Sequence, residues 1–193
     1  MEPKRIILAS ASPRRRELIA AIEHEIEIIP SGAQETVDPN TPVEEVPLAL
    51  ALLKARDVAR RYPGAVVIGC DTVVVIGGKI LGKPKGRQDG KRMLSLLSGK
   101  THRVITGCAL VCGKIERSFS ETSEVDFYSL SEREIERYLD LGEYTDKAGS
   151  YAIQGKGVLF VRGIRGDYPN IVGLPVARLA RELDSFLEQT AET

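Results

Sequence analysis

The chain has 193 residues, 42% of them hydrophobic, and its 27 lysine and arginine side chains are balanced by 27 aspartate and glutamate side chains. This length suffices for one substantial domain and is too short for two full ones. With no net charge the chain lacks the positive field of a nucleic-acid or anionic-membrane binder, so we expect neither partner.

Strand and helix patterns alternate along the first half of the chain. Short apolar runs predict buried strands, and periodic apolar residues behind a capping residue predict helices. Paired glycines permit the positive φ angles of a tight hairpin. The predicted elements are a strand at Ile6–Ala9, a helix from Pro13, a strand at Glu25–Ile29, a helix from Pro42 or Pro47 to Tyr62, a strand at Ala65–Gly69, and a hairpin of Val73–Ile76 with Lys79–Leu81 turned at Gly77-Gly78.

The second half continues the mixture of strands and helices. We predict a helix capped by Asp89 that reaches Leu97, strands at Arg103–Cys112 and Ile115–Tyr128, a helix from the capping box at Ser131–Glu134 to about Leu141, and an amphipathic helix from Pro175. Mixed strands and helices without a repeat predict an α/β fold around one twisted, mixed sheet.

Three cysteines lie inside apolar runs, at positions 70, 108 and 112. An odd number of buried thiols suits a reducing compartment, and they are expected to be small core side chains rather than zinc ligands. The N-terminal apolar run is too short for a signal peptide, and no later run approaches the roughly 18 residues of a membrane span. These features predict a cytoplasmic protein.

The segment Ser10–Arg16 joins the first strand to the first helix and carries three consecutive arginines. A helix N-terminus has a partial positive charge and favours acidic residues in its first turn. Arginines there raise the local energy unless an anion binds, so the segment predicts a polyphosphate site. A solvated basic helix start, or arginines paired with Glu17 and acidic neighbours, is the alternative.

The segment Gly69-Cys70-Asp71-Thr72 follows a buried apolar strand. A strand that ends there places the carboxylate at its carboxyl end, where open α/β sheets build their sites. Beside phosphates, Asp71 could hold a divalent cation or act as a general base on water. Alternatively, it caps a turn through Thr72.

Two lysines are weaker candidates for the same site. Lys83 lies in the loop Gly82-Lys83-Pro84-Lys85 and could place a point charge on a phosphate, although such loops are common on surfaces. Lys54 is the single lysine in an apolar helical stretch, either extending along the surface to solvent or directed into a cleft.

Small residues and glycines surround Tyr151 and Gln154 in the segment from Asp146 to Gly155. Such a segment allows a planar ligand to approach the backbone closely. The amide of Gln154 has both a donor and an acceptor and could bind the edge of a base. The alternative is a glycine-rich connection without a ligand.

Taken together, these segments resemble the Maf-like nucleotide pyrophosphatases. The matching segments run in order over about nine-tenths of the chain, and the ordered set is specific although each motif is modest. They are Leu8-Ala-Ser-Ala-Ser-Pro-Arg-Arg-Arg-Glu-Leu18, Gly69-Cys-Asp-Thr-Val-Val74, Leu81-Gly-Lys-Pro84, Leu97-Ser-Gly-Lys-Thr-His102, Asp146-Lys-Ala-Gly-Ser-Tyr-Ala-Ile-Gln154 and Gly166-Asp-Tyr-Pro-Asn-Ile-Val-Gly-Leu-Pro175.

The resemblance implies a role for each matching residue. Asp71 matches the family's catalytic carboxylate, and Glu35 its loop carboxylate that helps Asp71 to hold metal. The loop around Glu35 matches loosely, so Asp38 is the alternative metal ligand. The family's phosphate-binding residues are matched by Ser10, Arg14, Arg15, Lys54 and Lys83. In the branch that prefers dTTP and UTP, the positions tied to base choice are matched by Arg14, Thr72 and Gln154.

The resemblance also implies a fold and a reaction. The expected fold is a single elongated, two-lobed, inosine-triphosphatase-like domain over residues 1–189, with a central cleft and a frayed tail at 190–193. The expected reaction is hydrolysis of dTTP, UTP and modified pyrimidine nucleotides to the monophosphate and pyrophosphate, clearing non-standard nucleotides. It would need Mg²⁺, Mn²⁺ or Co²⁺, and the protein is expected to be a homodimer. Cys70 departs from the family's usual Ala or Ser.

A nucleotide-binding regulator of septum formation and cell division is the rival function, since it would use the same anion-binding turn. Glu35 and Asp71 favour the enzyme, because anion binding alone has no use for carboxylates beside phosphates. Single-stranded nucleic-acid binding is disfavoured by the neutral charge and the sparse aromatic residues.

Overall fold

Short apolar runs form the first strands. In the computed structural model, which describes residues 4–191, strand β1 is Ile6–Leu8 and strand β2 is Ile26–Ile28. Both β2 and the long strand β3, Val66–Ile76, lie parallel to β1. Parallel strands need crossover connections. Helix α1, Pro13–Ile19, connects β1 to β2, and helix α2, Val46–Arg61, connects β2 to β3.

The remaining strands complete a mixed sheet. Strand β4, Lys79–Leu81, pairs antiparallel with β3 across a turn in which Gly77 and Gly78 have φ of 55° and 71°. The later strands are β5, Thr101–Cys112, β6, Ile115–Phe127, and β7, Val161–Arg165, which pairs antiparallel with β6. Within residues 4–191 the sheet has seven strands, in the order β2-β1-β3-β5-β6-β7 with β4 beside β3. This confirms the predicted α/β class with a mixed sheet.

Of the four α-helices that the structure describes in the second half, three begin at the predicted signals, with one correction, and the short helix Tyr168–Val172 was not predicted. The capping box between Ser131 and Glu134 is present. The predicted cap Asp89 is instead inside the first turn, where its carboxylate accepts the Lys85 N–H at 3.0 Å, and Gly86 holds the N-cap position. These helices are α3, Arg87–Leu97, α4, Glu132–Asp140, α5, Tyr168–Val172, and α6, Val176–Ala191, with 3₁₀ turns at Ala148–Ser150 and Lys156–Phe160.

Strand β3 differs from the prediction because it does not end at Gly69. It continues through Asp71 and Thr72, since the β-branched residues that follow keep the backbone extended. Strand β1 pairs with its beginning, at Val66–Ile68, and β4 with its end, at Val74–Ile76. Asp71 therefore lies in the middle of a strand, between the stretch paired with β1 and the stretch paired with β4.

The contacts within the chain divide it into two units. The first unit contains the residues up to Asp71, Thr106–Glu121 and the residues from Gly173 onward, and the second contains Thr72–Ile105 and Thr122–Val172. The boundary of a single domain at residue 189 stays a prediction. Of the predicted frayed tail, Thr190 and Ala191 end helix α6, and Glu192 and Thr193 lie outside the described residues.

The first unit has a buried layer on each face of its strands. Successive side chains of a strand point to opposite faces. Ile6 and Leu8 pack in one cluster with the buried residues of α1 and α6, whereas Ile7 packs in another with Ala51 and Ala55 of α2. The three cysteines are free, buried and part of the first cluster, as predicted for core side chains.

The second unit has an aromatic core. The ring centroids of Phe127 and Tyr151 are 4.8 Å apart and those of Tyr138 and Phe160 are 5.0 Å apart, in each case edge to face. His102 packs against Phe127 with centroids 4.9 Å apart. Such edge-to-face pairs fix the relative orientation of the rings. Across residues 4–191, no helix has both the length and the apolar character required to cross a membrane.

Candidate active site

The ammonium group of Lys54 lies between two carboxylates of the first unit. Its Nζ is 2.6 Å from Asp71 Oδ1 and 3.0 Å from Glu35 Oε1. The side chains of Lys54 and Asp71 are only 12% and 13% exposed, whereas that of Glu35 is 56% exposed. Lys54 is therefore neither solvated nor unpaired, and three predicted site residues converge on one point.

Two glycines explain how helix α2 brings Lys54 to Asp71. A Cβ on Gly69 of β3 would overlap the Ala51 carbonyl oxygen and lie 2.8 Å from the Ala55 nitrogen. A Cβ on Gly107 of β5 would overlap the backbone of Pro47 in the same way. Only glycine allows the helix backbone to lie this close to the strands, so the distance between Lys54 and Asp71 depends on both positions.

The predicted phosphate-binding turn follows β1 and begins α1. Ser12 is the N-cap and accepts the Arg15 N–H at 3.5 Å, Pro13 is the first helical residue, and the first turn has no acidic residue. The buried Ser10 Oγ accepts the Ser12 N–H at 3.2 Å. Ser12 thus caps the helix that the sequence predicts from Pro13. Because α1 has only seven residues, any anion affinity depends on its arginines more than on its dipole.

The three arginines of the turn differ in their surroundings. Arg14 and Arg15 are half-buried, and Arg16 is exposed. Arg15 donates from Nε to the Gly173 carbonyl at 2.8 Å, and its Nη1 is 3.5 Å from Ser10 Oγ. The sequence did not predict this bond to Gly173, which ties the turn to the beginning of the C-terminal segment.

Glu35 and Asp38 have different partners in the polar loop. Glu35 reaches Lys54, as described above, whereas Asp38 Oδ1 accepts the backbone N–H of Asn40 at 2.8 Å and its side-chain amide at 3.0 Å. Asp38 closes a local Asx turn. Of the two candidate metal ligands, Glu35 is therefore the one that lies with Asp71.

The two carboxylates that meet at Lys54 are candidate ligands for a divalent cation. Nowhere in the described range 4–191 do three or more His, Cys, Asp or Glu side chains gather in a group that could hold a metal. Mg²⁺ typically binds through one or two carboxylates, with water and substrate phosphates as its other ligands. Asp71 and Glu35, which converge on one cationic group, fit a metal of this kind.

In the second unit, Gly149 contacts residues that neighbour the predicted site residues Lys83 and Thr72 in sequence. Its N–H donates to the Gly82 carbonyl at 3.1 Å, next to Lys83, and a Cβ on it would lie 3.0 Å from Val74, two residues after Thr72. Lys83 and Gln154 are exposed. Tyr151, around which a planar ligand is expected to approach the backbone, has a buried side chain whose ring completes the aromatic core.

Two buried pairs were not predicted from the sequence. Cys70 Sγ and Cys108 Sγ are 3.7 Å apart, and this contact, with the nearby charges of Arg15 and Lys54, lowers the pKa of the Cys70 thiol. His102 Nε2 is 2.9 Å from the Tyr151 hydroxyl. The sequence signal for His102 was its place at the end of the matching segment Leu97–His102. That segment does not indicate that Tyr151 is its hydrogen-bond partner.

The sequence matches one protein family along nearly its whole length. The family model described as Maf-like protein matches residues 5–186. A dTTP/UTP pyrophosphatase from Bacillus cytotoxicus is 48% identical over 183 residues, which cover 95% of this chain and 96% of that protein. A dTTP/UTP pyrophosphatase from Bacillus pumilus is 50% identical over 182 residues, covering 94% and 96%.

A solved structure shares the fold. The structure of a HAM1 protein from Coxiella burnetii aligns with a TM-score of 0.52 and covers 94% of this chain and 99% of that one. The sequence identity is 15%, so the likeness concerns the fold alone. It agrees with the predicted inosine-triphosphatase-like fold.

Proposed function

The chain belongs to the family of Maf-like proteins, and on this premise we propose that it is a nucleoside triphosphate pyrophosphatase that acts on dTTP and UTP. The enzyme is a hydrolase of an acid anhydride. Water adds to the nucleotide between its α and β phosphates, and the products are the nucleoside monophosphate and pyrophosphate. Modified pyrimidine nucleotides would be further substrates, which would clear non-standard nucleotides.

The observation that carries this proposal is the convergence of Lys54, Asp71 and Glu35. The side chain of Asp71 is only 13% exposed, and Asp71 belongs to neither apolar cluster of the first unit. A buried ion pair is often no more stabilising than apolar residues of the same size, so this pair is a candidate for a functional role. The relatives that share half of the sequence are dTTP/UTP pyrophosphatases.

We propose that positively charged side chains bind the triphosphate. Arg14 and Arg15 extend from the turn after β1, and guanidinium groups form paired hydrogen bonds to phosphate oxygens. Lys54 and Lys83 add point charges, and the Ser10 hydroxyl contributes within the same turn. Charge stabilisation and orientation supply most of the rate enhancement in phosphoryl-type reactions.

Asp71 is the proposed proton acceptor. Its carboxylate orients a water molecule and takes a proton from it as the water oxygen attacks phosphorus in line with the leaving pyrophosphate. A bound Mg²⁺, Mn²⁺ or Co²⁺, held by Asp71 and Glu35, would neutralise charge on the phosphates. The hydrogen bond from Lys54 holds the Asp71 carboxylate in one orientation.

Base choice is assigned to Arg14, Thr72 and Gln154. The resemblance to the branch that prefers dTTP and UTP supports this assignment, and Gln154 is exposed in the structure. The same resemblance supports a cytoplasmic homodimer, without a nucleic-acid or membrane partner. The rival role as a nucleotide-binding regulator is not favoured, because the carboxylates that it does not need are present.

The test is an assay of pyrophosphate release over a panel of nucleoside triphosphates with Mg²⁺, Mn²⁺ and Co²⁺. The proposal predicts the highest kcat/KM for dTTP and UTP and one pyrophosphate per monophosphate formed. Rates near zero for every nucleotide and metal, together with tight nucleotide binding, would instead support the regulator.

A further inference from the structure

A residue with a strained backbone, Ser150, lies four positions before Gln154. Ser150 has φ of 63°, and it is the one residue other than glycine with positive φ within residues 4–191. It is fully buried, and its hydroxyl contacts the Met93 sulfur at 3.1 Å. A left-handed conformation costs a non-glycine residue free energy and persists only where the surroundings determine it. This segment is therefore held by its neighbours.

Two buried phenol groups hold the residues that follow. The Tyr151 hydroxyl is 2.9 Å from His102 Nε2, and the Tyr138 hydroxyl accepts the Ala152 N–H at 2.9 Å. Burial lowers the pKa of His102 to about 4 and raises the pKa of the Tyr151 phenol, so both groups are neutral near pH 7. A hydrogen bond between neutral groups in a buried aromatic core keeps its geometry near pH 7.

The segment then makes a tight turn whose far end is also fixed. The Gly155 N–H donates to the Ala152 carbonyl at 3.1 Å, and the Lys156 N–H donates to Glu143 at 2.9 Å. A Cβ on Gly155 would overlap the Glu143 carboxylate. The turn Ala152–Gly155 is thus anchored on both sides, while Gln154 within it is exposed.

We propose that Tyr138 and Tyr151 are positioning residues for base recognition: they hold the Ala152–Gly155 turn so that the Gln154 amide meets a uracil or thymine base in one orientation. This inference rests on the proposed function. Uracil and thymine present a carbonyl acceptor where cytosine presents an amino donor. A glutamine amide can satisfy either base by turning over. Discrimination against cytosine therefore requires that the amide approach the base from a fixed backbone position, which the hydrogen bonds at Ala152, Gly155 and Lys156 supply.

The test compares Tyr138→Phe and Tyr151→Phe with the wild type on UTP and CTP. Each substitution removes one hydroxyl from the core and keeps the ring. We expect kcat/KM for UTP to fall mainly through KM, and the preference for UTP over CTP to fall about tenfold, since the Ala152 N–H loses its acceptor in Tyr138→Phe and His102 Nε2 loses the Tyr151 hydroxyl in Tyr151→Phe. Tyr144→Phe, another buried tyrosine of this unit, is the matched control and should keep the wild-type preference.

A double-variant cycle separates positioning from general loss of structure. Tyr138→Phe combined with Gln154→Ala should have the nucleotide preference of Gln154→Ala alone, because the tyrosine acts through Gln154. Additive effects, or equal losses for UTP and CTP, would overturn the inference. If one of the two tyrosine variants does not fold, the nucleotide preference of the other variant tests the inference. Absence of UTP turnover in the wild type would contradict the proposed function itself, whereas unchanged preference in both variants contradicts this inference alone.

Discussion

The ammonium of Lys54 and the carboxylate of Asp71 are 2.6 Å apart, although the residues belong to a helix and a strand and are 17 positions apart in sequence. Neither side chain is more than 13% exposed. The pair holds the proposed proton acceptor in one orientation, and it places a positive charge where phosphates are expected to bind. We therefore expect stability and activity to be coupled at this contact.

Replacing Lys54 by methionine tests this coupling. We expect the free energy of unfolding to fall by about 1–2 kcal/mol, because the largely buried Asp71 side chain loses its ion-pair partner. Pyrophosphate release should fall at least about 100-fold, since an electrostatic contact to the reacting group is lost. Lys114→Met, in the β5–β6 turn, is the control and should change neither quantity. Adding Asp71→Asn to Lys54→Met should restore stability and not activity; a further loss of stability would contradict the account.

The close approach of helix α2 to the sheet predicts the effect of Gly69→Ala. The new methyl group would overlap the Ala51 carbonyl, so the helix must shift away from β3 and take Lys54 with it. We expect a loss of about 2–4 kcal/mol in the free energy of unfolding, with a fall in kcat. Gly163→Ala, where a Cβ meets nothing within 4 Å, should be nearly neutral in denaturant titrations. A stable and fully active Gly69→Ala protein would show that the helix position does not matter.

The buried His102 predicts a pH dependence of stability. Burial lowers its pKa in the folded protein to about 4, against 6.5 for the unfolded chain, although Asp126 acts in the opposite direction. The unfolded chain therefore binds more protons between these values, and the free energy of unfolding falls as the pH falls from 6.5 to 4. The loss is about 3 kcal/mol.

Urea titrations across this pH range would measure the effect. His102→Gln should have a flatter dependence, whereas Tyr151→Phe should keep the wild-type slope, because the histidine stays buried. A wild-type protein equally stable at pH 4.5 and pH 6.5 would show that His102 becomes charged at no cost.

Removal of divalent cations tests the roles of the two carboxylates. With a chelator, activity should be lost, and Mg²⁺, Mn²⁺ or Co²⁺ should restore it. Glu35→Gln should raise the metal concentration for half-maximal activity by about tenfold or more, because one ligand loses its charge. Asp38→Asn should leave it unchanged, since Asp38 hydrogen-bonds within its own loop. Full activity in the chelator, or a larger effect at Asp38, would contradict the assignment.

Much of the fold follows from local patterns in the sequence. The apolar run at Ile6, the paired glycines at Gly77 and the capping box at Ser131 each specify a local conformation, and the structure has it. The errors came where a local signal competed with a longer one. Asp71-Thr72 has the composition of a turn, but the β-branched residues after it keep the strand extended.

Candidate residues for the site can be named from the sequence, but their arrangement cannot. The sequence offers Asp71 and Lys54 as separate candidates, and their pairing depends on how closely α2 approaches the sheet. The choice between Glu35 and Asp38 depends on the geometry of a loop, which no periodic sequence pattern indicates. The burial of Tyr151 depends on residues distant in sequence, such as Phe127.

The most direct test of the central claim is the rate of pyrophosphate release by Asp71→Asn at saturating dTTP or UTP and metal. Asparagine keeps the shape of the side chain and removes its ability to accept a proton. We expect a fall of about 1,000-fold in kcat. The variant should still unfold cooperatively on heating and have the circular dichroism spectrum of a folded protein. A rate within a few-fold of the wild type would show that Asp71 is not the proton acceptor and would contradict the proposed mechanism.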